Sequence, residues 1–325
     1  MKLGYRAALA LFSLALAAPA SAQQTMVITT NPQGTSFYSA GAAIAKLMSD
    51  AGMPTIVRPT AGASSNVPAL NGAEIDFAVL HTVDTGGAYE GTGDYQGRPP
   101  AKNLRLVGVV YQVLFGIMVA GDSPVKELKD VKGLRMPTEY TAQSAVLPNV
   151  QALLATAGLS LADMKPFPVP NYVQGIRALG EGKVDVTAVT PGIAASREAA
   201  AALATHGGTR LVSVYSGPEA VAAMKKWVPS MRLLTLNPDP SMPEVRTPTV
   251  ATATSVYLVT HDGMSDEVVY KTAKMIREKK DEFMQASPTV RTFDPNFMAE
   301  ANATPYHPGA EKYYREIGQW PPKAP

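Results

Sequence analysis

The sequence contains no cysteine among its 325 residues. No disulfide can stabilise the fold, and zinc–thiolate sites and cysteine nucleophiles are excluded. Charged residues are also few, at 17%, and the basic ones number 29 against 27 acidic ones. Such a chain lacks the excess of positive charge with which proteins bind nucleic acid. We therefore expect no nucleic-acid partner.

Long apolar runs are equally scarce, and the clearest one stands at the N-terminus. It spans Ala7 to Ala18, follows Lys2 and Arg6, and precedes Ala20-Ser21-Ala22. A basic start, a short apolar run and an A-x-A site predict a secretory signal peptide over residues 1–22, cleaved after Ala22. The run is shorter than the ~20 apolar residues of a membrane-spanning helix. We expect an exported periplasmic protein with 27 basic and 27 acidic residues.

The usual sequence signatures of catalysis are missing too. There is no G-x-S-x-G elbow, no H-E-x-x-H and no P-loop G-K-[ST], and the four histidines lie far apart. We therefore expect no metal site, no cofactor and no enzymatic activity. Residues distant in sequence can still meet in space, so a secreted hydrolase remains an alternative.

What the sequence does contain first is a strand, a polar loop and a helix. Val27 to Thr30 is β-branched and is stopped by Asn31-Pro32, and the run from Phe37 to Asp50 repeats apolar residues at helical spacing. A Ser or Thr before it suits an N-cap, and free N–H groups at a helix start attract an anion. We expect ligand contacts or ordinary capping from Gly34, Thr35, Ser36 and Tyr38.

A similar unit follows directly. Thr55 to Thr60 reads as a strand, Ala61 to Asn66 as a turn and Val67 to Asn71 as a helix, and a buried strand then ends at His81. Alternating strands and helices predict a mainly parallel sheet, whose ligands bind beyond the carboxyl ends of its strands. The candidate ligand residues there are Ser64, Ser65, Asn66 and His81. A histidine in such a place is often only a structural group.

The middle of the chain predicts a connection between two lobes. Gly86 to Pro100 reads as a surface loop, and Leu104 to Tyr111 and Val113 to Ala120 as apolar strands interrupted by Gln112. Thr249 to Thr260 alternates and suits a second crossing strand or a strand beside it. Tyr111 lies where it would line a cleft or flank a hinge.

The second part of the chain repeats the pattern of the first. Leu134 to Met136 predicts a strand, Pro137 to Thr141 a polar loop and Gln143 to Ala157 a helix. Leu179 to Thr190 matches the register of Leu70 to His81, which pairs Thr190 with His81. Two α/β lobes of similar construction bury a ligand between them. The second-lobe candidates are Thr138, Glu139, Tyr140, Thr141, Ser144 and Thr190.

With both units placed, the mature chain resembles the TAXI family, the solute receptors of tripartite ATP-independent periplasmic (TRAP) transporters. The matching pieces, in order, are Gly34-Thr35-Ser36-Phe37-Tyr38 with Gly41, Ala61 to Asn66, Leu70-x-Gly72-x-x-x-Asp76, Glu127 to Gly133, Ala178-Leu179-x-x-Gly182-Lys183-Val184-Asp185, Val268 to Tyr270 and His307 to Ala310.

The resemblance implies an α/β, two-lobed type II periplasmic-binding-protein fold with hinge-linked lobes and the ligand cleft between them. We place lobe 1 at residues 23–115 and about 240–325, and lobe 2 at about 116–240. It also implies a monomeric receptor that captures a small organic solute, such as an amino acid, a dicarboxylate or another organic acid, for the sodium-coupled membrane subunits of a TRAP transporter. A periplasmic ligand sensor for a membrane kinase would use the same fold and stays open.

One residue departs from the resemblance. The family's second-lobe loop is usually glycine- and serine-rich, whereas this chain has Glu139 there. If it faces the cleft, its carboxylate repels a dicarboxylate and favours an amino group or a cation; if it faces solvent, it has no effect on the ligand. Arg58 and Arg135 are the cations nearest to the predicted loops, and each pairs with a ligand carboxylate or lies on the surface.

Overall fold

A computed structural model of the protein describes residues 25–143, 146–286 and 290–322. The predicted signal peptide and its cleavage site lie outside these residues. The strands are β1 (Met26–Thr30), β2 (Thr55–Pro59), β3 (Phe77–His81), β4 (Leu104–Ala120), β5 (Arg135–Tyr140), β6 (Lys165–Val169), β7 (Val186–Val189), β8 (Thr209–Val212), β9 (Arg232–Leu236) and β10 (Thr249–His261). The helices are α1 (Ser36–Asp50), α2 (Ala63–Asn71), α3 (Thr82–Glu90), α4 (Val146–Ala155), α5 (Tyr172–Gly180), α6 (Ala194–Ala202), α7 (Pro218–Lys225), α8 (Asp266–Glu278), α9 (Lys280–Ala286) and α10 (Pro308–Glu316).

Eight of the strands form one sheet in the order β2-β1-β3-β10-β4-β7, with β8 paired to β4 and β9 to β10. β1 pairs in parallel with both β2 and β3, so the carboxyl ends of these three strands meet at one edge of the sheet. Each of the three strands leads into a helix, α1, α2 or α3, whose N-terminus therefore lies at the same edge. The mixed α/β, two-lobed fold expected from the sequence is confirmed.

Two long antiparallel strands, β4 and β10, form the centre of the sheet. They pair from Leu104 with His261 to Phe115 with Thr252. The last residues of β4 then pair with β7 and β8, beyond the part of the strand that pairs with β10. The expected break at Gln112 was wrong, because this residue pairs with Ser255 and continues the strand. The expected second crossing strand is confirmed as β10.

The second lobe departs from the expected loop at Pro137 to Thr141. β5 continues to Tyr140 and pairs in parallel with β6 in a separate two-stranded sheet. Proline is tolerated at edges and bulges, and the pairing has a register shift between Pro137 and Glu139. The polar loop thus begins only at Thr141.

Two helices differ from the prediction in the first lobe. α2 begins at Ala63, so Ser64, Ser65 and Asn66 belong to its first turn rather than to a loop. The surface loop expected from Gly86 contains the end of α3, which begins directly at Thr82. Two central glycines and a weak apolar pattern gave no helical signal there.

The main apolar core includes most of β4 and the apolar residues of β10. A smaller apolar cluster lies between α4 and α7. Among the described residues no helix has the length and apolar character needed to cross a lipid bilayer. The same part of the chain holds no group of three or more histidine, aspartate or glutamate side chains suited to a metal ion.

Candidate ligand-binding site

A cavity lies between the loops that follow β1, β2 and β3 and a second group of loops from residues 142–193. The empty space between the walls, with its opening to solvent included, is about 740 Å³. The first wall consists of Asn31, Thr35, Ser36, Phe37, Ala63, Ser64, His81, Asp84, Asp94, Tyr95 and Arg98. The second wall consists of Ala142, Gln143, Val146, Asn149, Tyr172, Thr190 and Ile193. Phe115 of β4 joins them through edge contacts with His81 at 5.9 Å and Tyr172 at 6.2 Å.

The start of α1 forms one part of the first wall. The Thr35 hydroxyl accepts a hydrogen bond from the Tyr38 N–H at 3.2 Å and donates one to the Pro32 carbonyl at 2.8 Å. The N–H groups of Ser36 and Phe37 precede the first intrahelical bond, so they can donate to a ligand. The Tyr111 hydroxyl, which is not part of the cavity wall, donates to the Ser36 hydroxyl at 3.0 Å and orients it.

The start of α2 forms another part and reaches across to the second wall. Asn66 is fully buried, accepts from the Thr60 hydroxyl at 2.8 Å, and so orients the turn before the helix. The Ser64 hydroxyl donates to the carbonyl of Ala142 at 3.1 Å, which joins the two walls directly. Gly62 has a φ of +139°, and a Cβ there would lie 3.0 Å from Cγ of Gln143. Only glycine allows this close approach.

His81 lies in the first wall, but the protein uses both of its ring nitrogens. Nδ1 accepts from the Val83 N–H at 3.3 Å, so Nε2 carries the proton and donates to the Thr254 hydroxyl at 2.5 Å. Burial lowers the pKa of His81 to about 3, which keeps the ring neutral. The residue caps α3 and offers a ligand the surface of its ring.

The first wall also contains an acid that the sequence reasoning missed. Asp84, in the first turn of α3, is 6% exposed and accepts from the Tyr95 hydroxyl at 3.0 Å. Burial is the main cause that raises the pKa of Asp84 to about 7. Asp94 and Arg98 are exposed residues of the same wall, so they lie at the cavity opening. For Asp94 and Arg98 the sequence signal was the glycine- and tyrosine-rich composition of Gly86 to Pro100, and for Asp84 it was a place three residues after the strand end at His81.

Four residues of the second wall carry an amide or hydroxyl group: Gln143, Asn149, Tyr172 and Thr190. Oε1 of Gln143 accepts from the Tyr172 N–H at 2.8 Å, which orients the amide. Its Nε2 is buried and has no hydrogen-bond partner among the described residues. The hydroxyls of Tyr172 and Thr190 are 3.4 Å apart. Thr190 follows β7 as His81 ends β3, as the internal register predicted.

Five of the predicted site residues lie in the cavity wall: Thr35, Ser36, Ser64, His81 and Thr190. Those that do not line it are Gly34, Tyr38, Ser65, Asn66, Tyr111, Thr138, Glu139, Tyr140 and Thr141. Ser144 lies outside the described residues. Gly34 precedes the cap of α1 with a φ of +90°, and Tyr140 is buried beside Gly175 of α5. Glu139 is exposed on β5.

The two candidate arginines also lie outside the wall. Arg58 is exposed on β2, which is the outermost strand of the sheet. Arg135 donates to both carboxylate oxygens of Asp185, at 3.0 Å and 2.6 Å. These placements leave Arg98 as the cation of the described cavity wall.

Comparison with known proteins gives one family and a broad set of similar structures. The model of the NMT1-like family matches residues 28–318. The aliphatic sulphonate binding protein SsuA of Escherichia coli is 16% identical, with 84% of this chain and 80% of that one covered and a TM-score of 0.46. The alkanesulfonate-binding protein SsuA of Xanthomonas axonopodis pv. citri bound to MOPS is 14% identical, with 90% of this chain and 83% of that one covered and a TM-score of 0.47. An ancestral arginine-binding protein bound to arginine is 15% identical, with 83% of this chain and 98% of that one covered and a TM-score of 0.47. Scores this low assign no ligand to the chain.

Proposed function

The chain belongs to the NMT1-like family, a family of periplasmic substrate-binding proteins, and on this premise we propose that it captures a small organic solute between its two lobes. The solute is an amino acid, a dicarboxylate or another organic acid. The observation that carries the proposal is the cavity between the two walls, with helix N-termini at its edge and hydroxyl and amide groups in both walls. The helix N-termini and donor groups of this lining attract an anion, and its apolar side chains can cover the carbon atoms of an organic one.

The proposed mechanism is closure of the lobes around the solute. We assign residues 23–115 and about 240–325 to lobe 1 and about 116–240 to lobe 2, because β4 and β10 are the long strands that run between them. The solute first meets the starts of α1 and α2, and the second wall then closes over it. The Ser64 contact with Ala142 belongs to this closed arrangement. Closure shifts the population toward the shape that a membrane partner recognises.

Delivery to sodium-coupled TRAP membrane subunits is the finer part of the proposal, and it rests on the ordered motifs quoted from the sequence. A periplasmic sensor that reports to a membrane kinase is the alternative. A permease gene or a kinase gene next to the one for this chain distinguishes them. A hydrolase is disfavoured because the family consists of binding proteins of transporters, and because His81 has its nitrogens bonded to Val83 and Thr254.

A thermal-shift screen of the mature chain tests the proposal. We expect one class among amino acids, dicarboxylates, aromatic acids and small cations to raise the melting temperature, since a ligand of the folded state stabilises it. The double variant of Thr35→Ala and Ser36→Ala should bind that class more weakly and still fold. A host-derived ligand is first removed by unfolding and refolding. If no compound of any class then shifts the melting temperature, the receptor proposal fails.

A further inference from the structure

The cavity contains a buried carboxyl group that has no counter-ion in the described part of the protein. Asp84 is 6% exposed and receives a hydrogen bond from Tyr95, and no lysine, arginine or histidine of the described residues forms an ion pair with it. Glu300 shows how this fold pairs another buried acid: Arg232 lies 3.7 Å away, and the hydroxyls of Ser255 and Tyr257 donate to it. Asp84 has a hydroxyl donor, that of Tyr95, but no basic side chain comparable to Arg232 within the described ranges.

The other groups of the described cavity wall do not supply a positive charge that pairs with Asp84. Asp94 carries the same sign as Asp84, and its charge further disfavours ionisation. Arg98 is exposed and sits 5.9 Å from the centre of the Tyr95 ring. His81 is held neutral by burial, and the described second wall contains no charged side chain. A buried carboxylate without a cation is costly, so a ligand cation would relieve that cost.

Other parts of the same cavity attract negative rather than positive charge. The starts of α1 and α2 carry partial positive charge, and both contribute residues to the first wall. From the second wall, Gln143 offers Nε2, a donor without a partner among the described residues, on a side chain that is 7% exposed. The cavity therefore has donors for an anion and a separate acceptor for a cation.

We propose that Asp84 binds the ammonium group of an organic acid whose carboxylate lies against the starts of α1 and α2. This rests on the proposed receptor function and deepens it: Asp84 selects amino-group-bearing acids over acids without that group. The assignment replaces Glu139, which is exposed outside the wall. Tyr95 positions the Asp84 carboxyl through its hydroxyl.

A neutral Asp84 that donates to a ligand oxygen is the competing arrangement. In that arrangement an asparagine at the same place supplies a donor of similar shape, so Asp84→Asn keeps the affinity. In the proposed arrangement the substitution removes the negative charge that the ammonium group needs. The two arrangements also differ in pH dependence, because only the ionised carboxyl attracts a cation.

The test is isothermal titration of the refolded mature chain with matched pairs, each an amino acid and the same acid without its amino group: glutamate with glutarate, leucine with 4-methylpentanoate and phenylalanine with 3-phenylpropionate. The remaining amino acids are screened by thermal shift. We expect binding by at least one amino acid, with its partner about tenfold to a hundredfold weaker. Asp84→Asn should weaken the amino acid by a similar factor and leave the partner acid unchanged.

Glu90→Gln is the matched control, because Glu90 is an exposed acid of the same helix and lies outside the cavity wall. It should leave both affinities unchanged. Preference for the acids without an amino group, or unchanged amino-acid affinity in Asp84→Asn, would overturn the role of Asp84 but leave the receptor proposal standing. Failure of every amino acid and every organic acid to bind would overturn both.

Discussion

At the scale of single residues, position in the sequence did not decide which way a side chain faces. Glu139 and Asp84 illustrate this. Glu139 stands in the loop where a selective carboxylate was expected, yet it is exposed on β5. Asp84 follows His81 closely and was assigned no role, yet it is buried in the cavity wall. The difference arises from packing around each residue, which no local pattern of residue types records.

Asp84→Asn should stabilise the ligand-free protein at pH 8. The folded protein raises the pKa of Asp84 from 3.8 to about 7 by burial, so the stability contributed by this group is full below about pH 4 and falls as the pH rises to about 7. An asparagine at this position does not ionise, so the variant avoids this loss of stability at high pH. We expect a gain of roughly 1–4 kcal/mol at pH 8 and almost none at pH 4, measured by urea unfolding.

Glu90→Gln serves as the reference for that experiment and should change the free energy of unfolding little at either pH. Equal stability of Asp84→Asn and the unsubstituted chain at pH 8 would contradict the burial of an ionised carboxyl at this position. The same result would also remove the reason for expecting a ligand cation there.

Gly62→Ala should weaken solute binding and also destabilise the protein. The φ of +139° costs any other residue about 1–3 kcal/mol, and the new Cβ would press on Gln143 in the second wall. Gly133→Ala is the control, because Gly133 also has a positive φ, +77°, but nothing lies within 4 Å of its Cβ position. We expect both variants to lose stability in thermal unfolding and only Gly62→Ala to lose affinity in titration.

At the scale of elements, local signals predicted most helices and strands well. α1 begins at Ser36, one residue before the predicted run, and Thr35 is the cap of the Ser or Thr type that was expected there. β10 covers the alternating run expected to form a crossing strand. α3 was missed because its residues show no apolar period, although His81 caps it and Asn302 donates to Thr85 within it at 3.1 Å. Contacts from distant segments stabilise this helix, and they supply what its own sequence lacks.

Thr35→Ala should cost about 1 kcal/mol of stability through the loss of the α1 cap. The hydroxyl bonds both the Tyr38 N–H and the Pro32 carbonyl, and alanine supplies neither interaction. Thr35→Ser keeps the hydroxyl and should retain most of the stability and the affinity. Urea unfolding and calorimetric titration of the two variants check this; equal behaviour of both would show that the cap does not hold the helix start in place.

At the scale of the whole molecule, the two crossing strands β4 and β10 determine how the walls face each other. Their pairing is continuous, with two register shifts between Val256 and Val259. The two walls are joined by the Ser64 bond to Ala142 and by the packing of Gln143 over Gly62. Phe115 also contacts both walls, through His81 and Tyr172. Contacts of this kind can be exchanged between an open and a closed arrangement without unfolding either lobe.

Solute binding should therefore reduce the radius of gyration of the mature chain in small-angle X-ray scattering. The solute bridges the two walls and adds contacts that only the closed arrangement makes. Ser64→Ala should shift the ligand-free protein toward the larger value, since it loses the bond to Ala142, whereas Ser65→Ala, exposed beside it, should not. Identical scattering with and without a saturating solute would contradict lobe closure.

By itself the sequence determined the α/β class, the repeat of strand and helix units, the capped start of α1 and the two crossing strands, because these follow from local periodicity, capping and chain breakers. It also brought Thr35, Ser36, Ser64, His81 and Thr190 to notice through their places after strands. Only the tertiary structure decided that the Tyr111 hydroxyl donates to Ser36, that Nε2 of His81 bonds to Thr254, and that Asp84 lines the cavity. Those outcomes depend on contacts between residues far apart in the chain, where burial and strand pairing select one orientation for each side chain.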